Sequence, residues 1–109
     1  YLKMEKISTQ MRKGILEYII LWIISKWDIY GAEIISILKS GDLIVAEGTI
    51  YPLLSRLKTD NLINYYWVES ESGHPRKYYN LTQEWIDMCI LMEKNWLDIK
   101  NSIEKILKK

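Results

Sequence analysis

The sequence predicts a mostly helical α+β fold: three helices, a two-stranded β-wing and a long helix at the C-terminal end. Three observations predict it. Apolar side chains recur at helical spacing in three segments between Met11 and Thr59. From Ile63 to Leu81 the period drops to two, in two aromatic-rich runs around a loop containing Gly and Pro. After Thr82, apolar residues return every seven positions as far as Ile106.

Met11–Ser25 reads as the first helix. Met11, Ile15, Leu16, Tyr18, Ile19, Leu21, Trp22 and Ile23 cover more than one of its faces, so it should be buried nearly all round. Ile and Trp are not strong helix formers, so packing must hold it. Lys26-Trp27-Asp28 interrupts the pattern, with Asp28 the expected N-cap of the next helix. That helix, Tyr30–Leu38, turns Ile34, Ile35, Ile37 and Leu38 inward and ends in the turn residues Lys39-Ser40-Gly41-Asp42. Leu43–Ala46 is too short to classify. The third helix runs from about Gly48 to Thr59, with Leu53, Leu54 and Leu57 as its buried stripe. Pro52 has no N–H, which implies a helix start close to Gly48 or a slight kink.

Ile63, Tyr65 and Trp67 alternate with Asn64, Tyr66 and Val68, a strand pattern. Glu71-Ser72-Gly73-His74-Pro75 is a loop, and Arg76–Leu81 resumes the alternation, so the two runs form a hairpin. Thr82 caps a helix to about Leu107. Within it Trp85, Met92, Ile99 and Ile106 interleave with Cys89, Trp96 and Ile103 as an a/d seam. Leu97 and Ile90 lie off the seam and are free to pack on the chain's own body.

The chain has 109 residues, one domain's worth, with 49% hydrophobic residues, eight Tyr, five Trp and no Phe. Tyr and Trp suit interfaces and wet pockets, and so much apolar surface on a small chain favours completing the core with a second copy. The net charge of +1 does not announce a nucleic-acid binder, although a local basic patch is enough for phosphate contact. Cys89 is the only cysteine, which rules out an intramolecular disulfide and a thiolate metal cluster and fits a reducing, cytoplasmic setting. The apolar run Tyr18–Ile24 is far short of the ~20 residues of a membrane span. No leader pattern is visible at the start, and Met4 is a candidate initiator, leaving the origin of Tyr1–Lys3 open.

Helix, helix, helix, hairpin, long helix is the order of a winged helix-turn-helix with a C-terminal dimerisation helix. Residues 5–82 would form the DNA-binding region and residues 83–109 the dimerisation helix. In such a fold the third helix enters the major groove, and two-fold symmetry matches a palindromic operator. The wing reaches neighbouring backbone. An enzyme is not expected: there is one His, one seam Cys, no phosphate-cradling Gly loop and no paired carboxylates on one helix face. No cofactor is implied.

The segment Gly48-Thr49-Ile50-Tyr51-Pro52-Leu53-Leu54-Ser55-Arg56-Leu57 resembles the recognition-helix signature of PadR-type regulators. Ser70–Thr82, containing Gly73-His74-Pro75-Arg76-Lys77-Tyr78-Tyr79, is similar to the wing of that family, and Gly14–Glu17 and Tyr30–Ile34 match its earlier landmarks. With a single C-terminal helix the chain resembles the family's small subgroup. That resemblance implies a transcriptional regulator, and some of the subgroup bind flat hydrophobic compounds between subunits. A repressor relieved by a planar effector is therefore the expected function. A winged-helix module that binds protein instead of DNA is the alternative, supported by the near-zero net charge.

Candidate DNA contacts are Thr49, Tyr51, Arg56 and Lys58 on the third helix, His74, Arg76 and Lys77 on the wing, and Arg12 and Lys13 on the first helix. Thr49 offers a hydroxyl and an N–H at a helix N-terminus, or merely neighbours the cap. Tyr51 donates its hydroxyl to a phosphate, or is a semi-buried core aromatic. Arg56 touches DNA, stays solvated, or pairs with Glu47 or Asp60. Arg12 and Lys13 meet flanking backbone or only water. The wing cations suit phosphate, and their bland reading is an ordinary solvated hairpin. His74 has no second His or nearby Cys, so no metal is expected there. The expected homodimer interface is Trp85, Cys89, Met92, Trp96, Ile99, Ile103 and Ile106. Trp96, with Met92 and Met88, is the expected lining of a planar-ligand slot, or else seam packing.

Overall fold

The computed structural model describes the backbone of residues 2–108 and the side chains of residues 10–108. Two helices of 25 residues each, α1 (Leu2–Lys26) and α4 (Gln83–Leu107), frame the chain. At ~1.5 Å per residue each is about 37 Å long, and the longest dimension of the chain is 56 Å. Between them lie β1 (Ile29–Tyr30), α2 (Gly31–Ser40), α3 (Glu47–Thr59), β2 (Ile63–Val68) and β3 (Arg76–Leu81). All described secondary structure thus falls in the expected class, with the hairpin strands at the expected residues.

The core gathers one face from every element. Ile20, Ile23 and Ile24 of α1, Ile34 and Leu38 of α2, and Ile50, Leu54 and Leu57 of α3 are withdrawn from water. Ile29, Ile63 and Tyr79 close the cluster from the sheet side. The α3 stripe at Ile50, Leu54 and Leu57 follows the four-then-three spacing that puts side chains on one helix face. Leu53, expected in that stripe, is only partly buried.

Several local features differ from the sequence reading. The first helix starts at Leu2, not Met11, and it is not buried all round. Met11 and Ile15 are exposed: N-terminal to Leu16 the described side chains of α1 leave the core, and Gly14, Ile15 and Tyr18 face Met92, Trp96 and Ile99 of α4 across an open groove. The sheet has a third strand: Ile29 and Tyr30 pair antiparallel with Tyr79 and Tyr78, giving the order β1-β3-β2. Two residues carry no periodicity, so sequence patterning could not reveal it. This strand takes Tyr30 out of α2 and leaves it at the N-cap position without a side-chain cap bond. Asp28 is consequently not a cap. Its carboxylate accepts a 2.7 Å hydrogen bond from the Tyr66 hydroxyl. Ile37 is exposed rather than inward, since α2 buries only the face of Gly31, Ile34 and Leu38.

In the hairpin Tyr65 pairs with Tyr79 and Trp67 with Lys77. Gly73, at φ +83°, takes the left-handed backbone that the loop requires, and its N–H donates to the Ser70 carbonyl at 3.0 Å. Thr82 caps α4 as expected, accepting from the Trp85 N–H at 3.4 Å. Pro52 lies inside α3, which begins at Glu47.

Cys89 departs most from expectation. It is buried in the chain's own core, beside Trp22 and Ser25 of α1, and so is covered before any second subunit arrives. Burial pushes its thiol pKa up, against smaller lowering effects from the Ser25 hydroxyl and Lys26. Since the thiolate is the reactive form, Cys89 should resist a soluble disulfide reagent at neutral pH and react only as fast as the chain unfolds. Rapid labelling of native protein would show that α4 is not seated on α1 in this way.

Candidate nucleic-acid interface

α2 and α3 form the helix-turn-helix, and the core holds α3 from behind through Ile50, Leu54 and Leu57. Projecting α3 at about 100° per residue puts Gly48, Pro52, Ser55 and Thr59 on the side opposite that buried stripe. All four are exposed. Sequence reading missed this face because it sought charged and hydroxyl-bearing residues one at a time. The available signal was the complement of the buried stripe. A face this small lets a helix backbone approach a groove floor closely.

The expected contact residues fall on the two flanks of that face. Thr49 and Arg56 lie toward α1, where with Lys13, Leu16, Pro52 and Leu53 they bound a cleft of about 350 Å³. The Thr49 N–H is already used within the first turn, donating to the Ala46 carbonyl at 2.9 Å, so only its hydroxyl is free. Arg56 pairs with Glu17 of α1, which replaces the expected partners Glu47 and Asp60. Both members of the pair are more than a third exposed, so solvent screening limits it to about 0–1 kcal/mol. Arg12 is exposed at the next α1 position, outside this cleft.

Tyr51 and Lys58 lie on the other flank, toward the wing. The Tyr51 ring rests on the first residue of α2: a Cβ at Gly31 would come within 2.6 Å of the ring edge and 3.0 Å of the hydroxyl. Tyr51 is 41% exposed, so it is neither a core residue nor free to swing without leaving Gly31. It shares a recess with Tyr30, Arg76, Lys77 and Tyr79. Burial first, then the neighbouring Tyr51 and Tyr65 phenols, raise the pKa of Tyr79. Lys58 stands 5.8 Å over the Tyr65 ring.

The wing cations are not equivalent. Strand alternation sends Lys77 to the face of Tyr65 and Trp67, where its Nζ lies 4.3 and 5.2 Å from the two ring centroids. Arg76 goes to the reverse face, its guanidinium carbon 4.5 Å over the Tyr30 ring. His74 is exposed in the loop, where its carbonyl accepts from the Ser70 hydroxyl at 2.6 Å.

The expected dimer seam is split. Its first half, Trp85, Cys89 and Met92, is buried or partly buried within the chain. Exposure then rises outward, from 37% at Trp96 to 47% at Ile99 and Ile103 and 67% at Ile106. Trp96, Met92 and Ile99 line a groove of about 220 Å³ against Ile15 and Tyr18 of α1. Met88 is exposed about two turns before Trp96 and does not line it. Ile90, although 64% exposed, borders a small recess with Trp22, Ser25 and Lys26 of α1, and Leu97 is 47% exposed. Among the described residues no cluster of three or more potential metal ligands occurs, and no helix is long and apolar enough to cross a membrane.

Residues 20–84 match the family described as transcriptional regulator PadR-like. The chain is similar to a solved PadR-like transcription factor from Bacteroides fragilis, with 46% identity and a TM-score of 0.76 over 93% of this chain and 98% of that one. It is also similar to a PadR-like transcriptional regulator from Bacillus cereus, at 36% identity and a TM-score of 0.79 over 92% and 98% of the two chains. An uncharacterised protein of Lysinibacillus sphaericus is 30% identical over 101 residues, 90% of this chain and 93% of that protein.

Proposed function

Since this chain belongs to the PadR-like family of transcriptional regulators, a family of non-enzymatic DNA-binding proteins, we propose that it acts as a homodimeric, sequence-specific repressor whose operator binding is relieved by a planar hydrophobic ligand. The observation that carries the DNA reading is the setting of α3. Its small outer face, Gly48-Pro52-Ser55-Thr59, stands between a flank with Lys13 and Arg56 and a flank with Lys58 and Lys77. A helix can enter the major groove on such a face while cations on both sides meet the phosphates that border it. The Tyr51 and Thr49 hydroxyls would add neutral phosphate contacts, and Arg12, Arg76 and His74 would meet more distant backbone. Residues 5–82 make the DNA-binding region in this reading, and the protein works in the cytoplasm.

The second subunit would cover the exposed part of the seam, Trp96, Ile99, Ile103 and Ile106, together with Met11 and Ile15 of α1. Each large apolar side chain fully buried contributes ~1.5–3 kcal/mol. Trp85 and Met92 would border that interface, whereas Cys89 would take no direct part. Two such subunits set their α3 helices about 34 Å apart, one turn of a palindromic operator. The groove beside Trp96 adjoins this surface, so the two indoles approach each other across the dimer axis and leave a flat, apolar slot for the effector, with Met92 at its side. The ligand regulates only if it prefers one spacing of the DNA-binding regions over the other.

Three outcomes are expected. Ile103→Asp with Ile99→Asp yields monomer in sedimentation, while the wild type sediments as a dimer at micromolar concentration; a monomeric wild type would overturn the dimer. The wild type binds duplex DNA with steep salt dependence. Lys77→Ala weakens binding on every sequence and lowers the salt slope by about one phosphate's worth. A wild type that ignores duplex DNA at low salt points instead to the protein-binding alternative, which the net charge of +1 favours. Trp96→Ala loses at least about tenfold in affinity for a planar aromatic dye, ~1.4 kcal/mol, and remains dimeric and DNA-binding. Unchanged dye affinity, or a dissociated dimer, would make Trp96 a packing residue only.

A further inference from the structure

The wing carries a feature that phosphate contact by Lys77 alone does not explain. The face of β2 and β3 that begins at the core with Ile63 and Tyr79 continues outward as Tyr65, Trp67 and Lys77. Trp67 is 60% exposed, although an indole is among the costliest side chains to leave in water. Its ring stands edge-on to Tyr65, at 87° and 6.3 Å between centroids. Lys77 lies in the corner between the two rings. Lys58, from the last turn of α3, also reaches Tyr65, its Nζ 5.8 Å from the ring centroid. The only salt bridge among the described residues joins Arg56 and Glu17, so neither lysine is neutralised by a carboxylate.

The chemistry of this face selects its partner. An apolar protein surface covering Trp67 would have to desolvate two unpaired ammonium groups. An acidic protein surface would satisfy the lysines and leave the indole without a flat apolar counterpart. A nucleic-acid strand alternates phosphate with sugar and base, and so matches both components of the face. Aromatic rings also hold the lysines loosely in place, which reduces the rotamer freedom lost on contact.

We propose that Tyr65, Trp67, Lys77 and Lys58 form a strand-tracking surface on the α3 side of the wing, with the Trp67 indole packed against the deoxyribose of the backbone beside the groove and the two lysines on its phosphates. The proposal deepens the DNA-binding reading above and rests on it. Because sugar and phosphate are common to all sequences, this surface supplies affinity and register and leaves base choice to α3.

The test uses the full chain and two labelled duplexes, one selected by the protein from genomic DNA and one unrelated, each titrated at several salt concentrations. Trp67→Ala is expected to weaken binding to both about tenfold with the salt slope of the wild type, as for loss of an uncharged stacking contact. Trp67→Phe should recover most of that loss. Lys58→Gln should instead lower the slope by about one phosphate's worth. Melting and sedimentation establish that each variant remains folded and dimeric. A folded Trp67→Ala protein that binds both duplexes within about twofold of wild type at every salt concentration would overturn the assignment. A loss confined to the selected duplex would also overturn it, by making Trp67 a reader of bases. A wild type that binds neither duplex would instead defeat the DNA reading itself, and this surface with it.

Discussion

Ile34 of α2 shares one water-free cluster with Ile20 and Ile23 of α1 and with Ile50 and Leu54 of α3, and the placement of the outer face of α3 and of the root of the wing depends on that cluster. Each of these side chains, fully buried, contributes ~1.5–3 kcal/mol. A domain of this size has only about 5–15 kcal/mol of net stability, so the cluster leaves little room for loss. Ile29, Ile63 and Tyr79 belong to the same cluster. The helix-turn-helix and the root of the wing are therefore locked to one another through a shared interior. The outer face of α3 and the aromatic face of the hairpin are thereby held in a fixed relation from within, and the Lys58–Tyr65 contact adds to it at the surface.

That architecture was legible where side chains repeat. Seven-residue spacing, two-residue alternation and the stripe on α3 each yielded the right element, because burial imposes its own period on the chain. Legibility failed where a feature has no period. The two-residue strand at Ile29 and Tyr30 is held by pairing with residues some fifty positions away, and nothing local distinguishes it from the first turn of a helix. Asp28 resembles a cap in sequence for the same reason: a cap is local, whereas its partner Tyr66 arrives through the fold. Arg56 likewise finds Glu17 across the α1–α3 packing, not one of the acids nearer in sequence. The family resemblance names candidate contact residues without apportioning them, and the alternation of β3, itself legible in the sequence, does so. Only the alternation of β3 separates Lys77 from Arg76, which adjoin in sequence and point to opposite sides of the sheet.

A heptad seam read from sequence does not say which partner each position meets. In α4 the early positions are used by the chain's own α1, and the later ones emerge as α1 and α4 extend past the core. Trp96 marks the changeover, partly covered by Tyr18 and Ile15 and partly open. One helix thereby serves two purposes along its length, seating at one end and presenting apolar surface at the other. A bulky side chain at that boundary is bordered by a groove because neither packing environment is built around it.

The contact between Gly31 and Tyr51 joins the first residue of one helix to the first turns of the next. Any side chain at position 31 would occupy the space of the phenol ring, and loss of the ring at position 51 would uncover the start of α2. The two positions thus constrain each other sterically, although nineteen residues separate them in the chain. A change at either is confined by the other: loss of the hydroxyl at 51 alone leaves the ring edge against position 31, and only loss of the ring itself would make room there for a side chain.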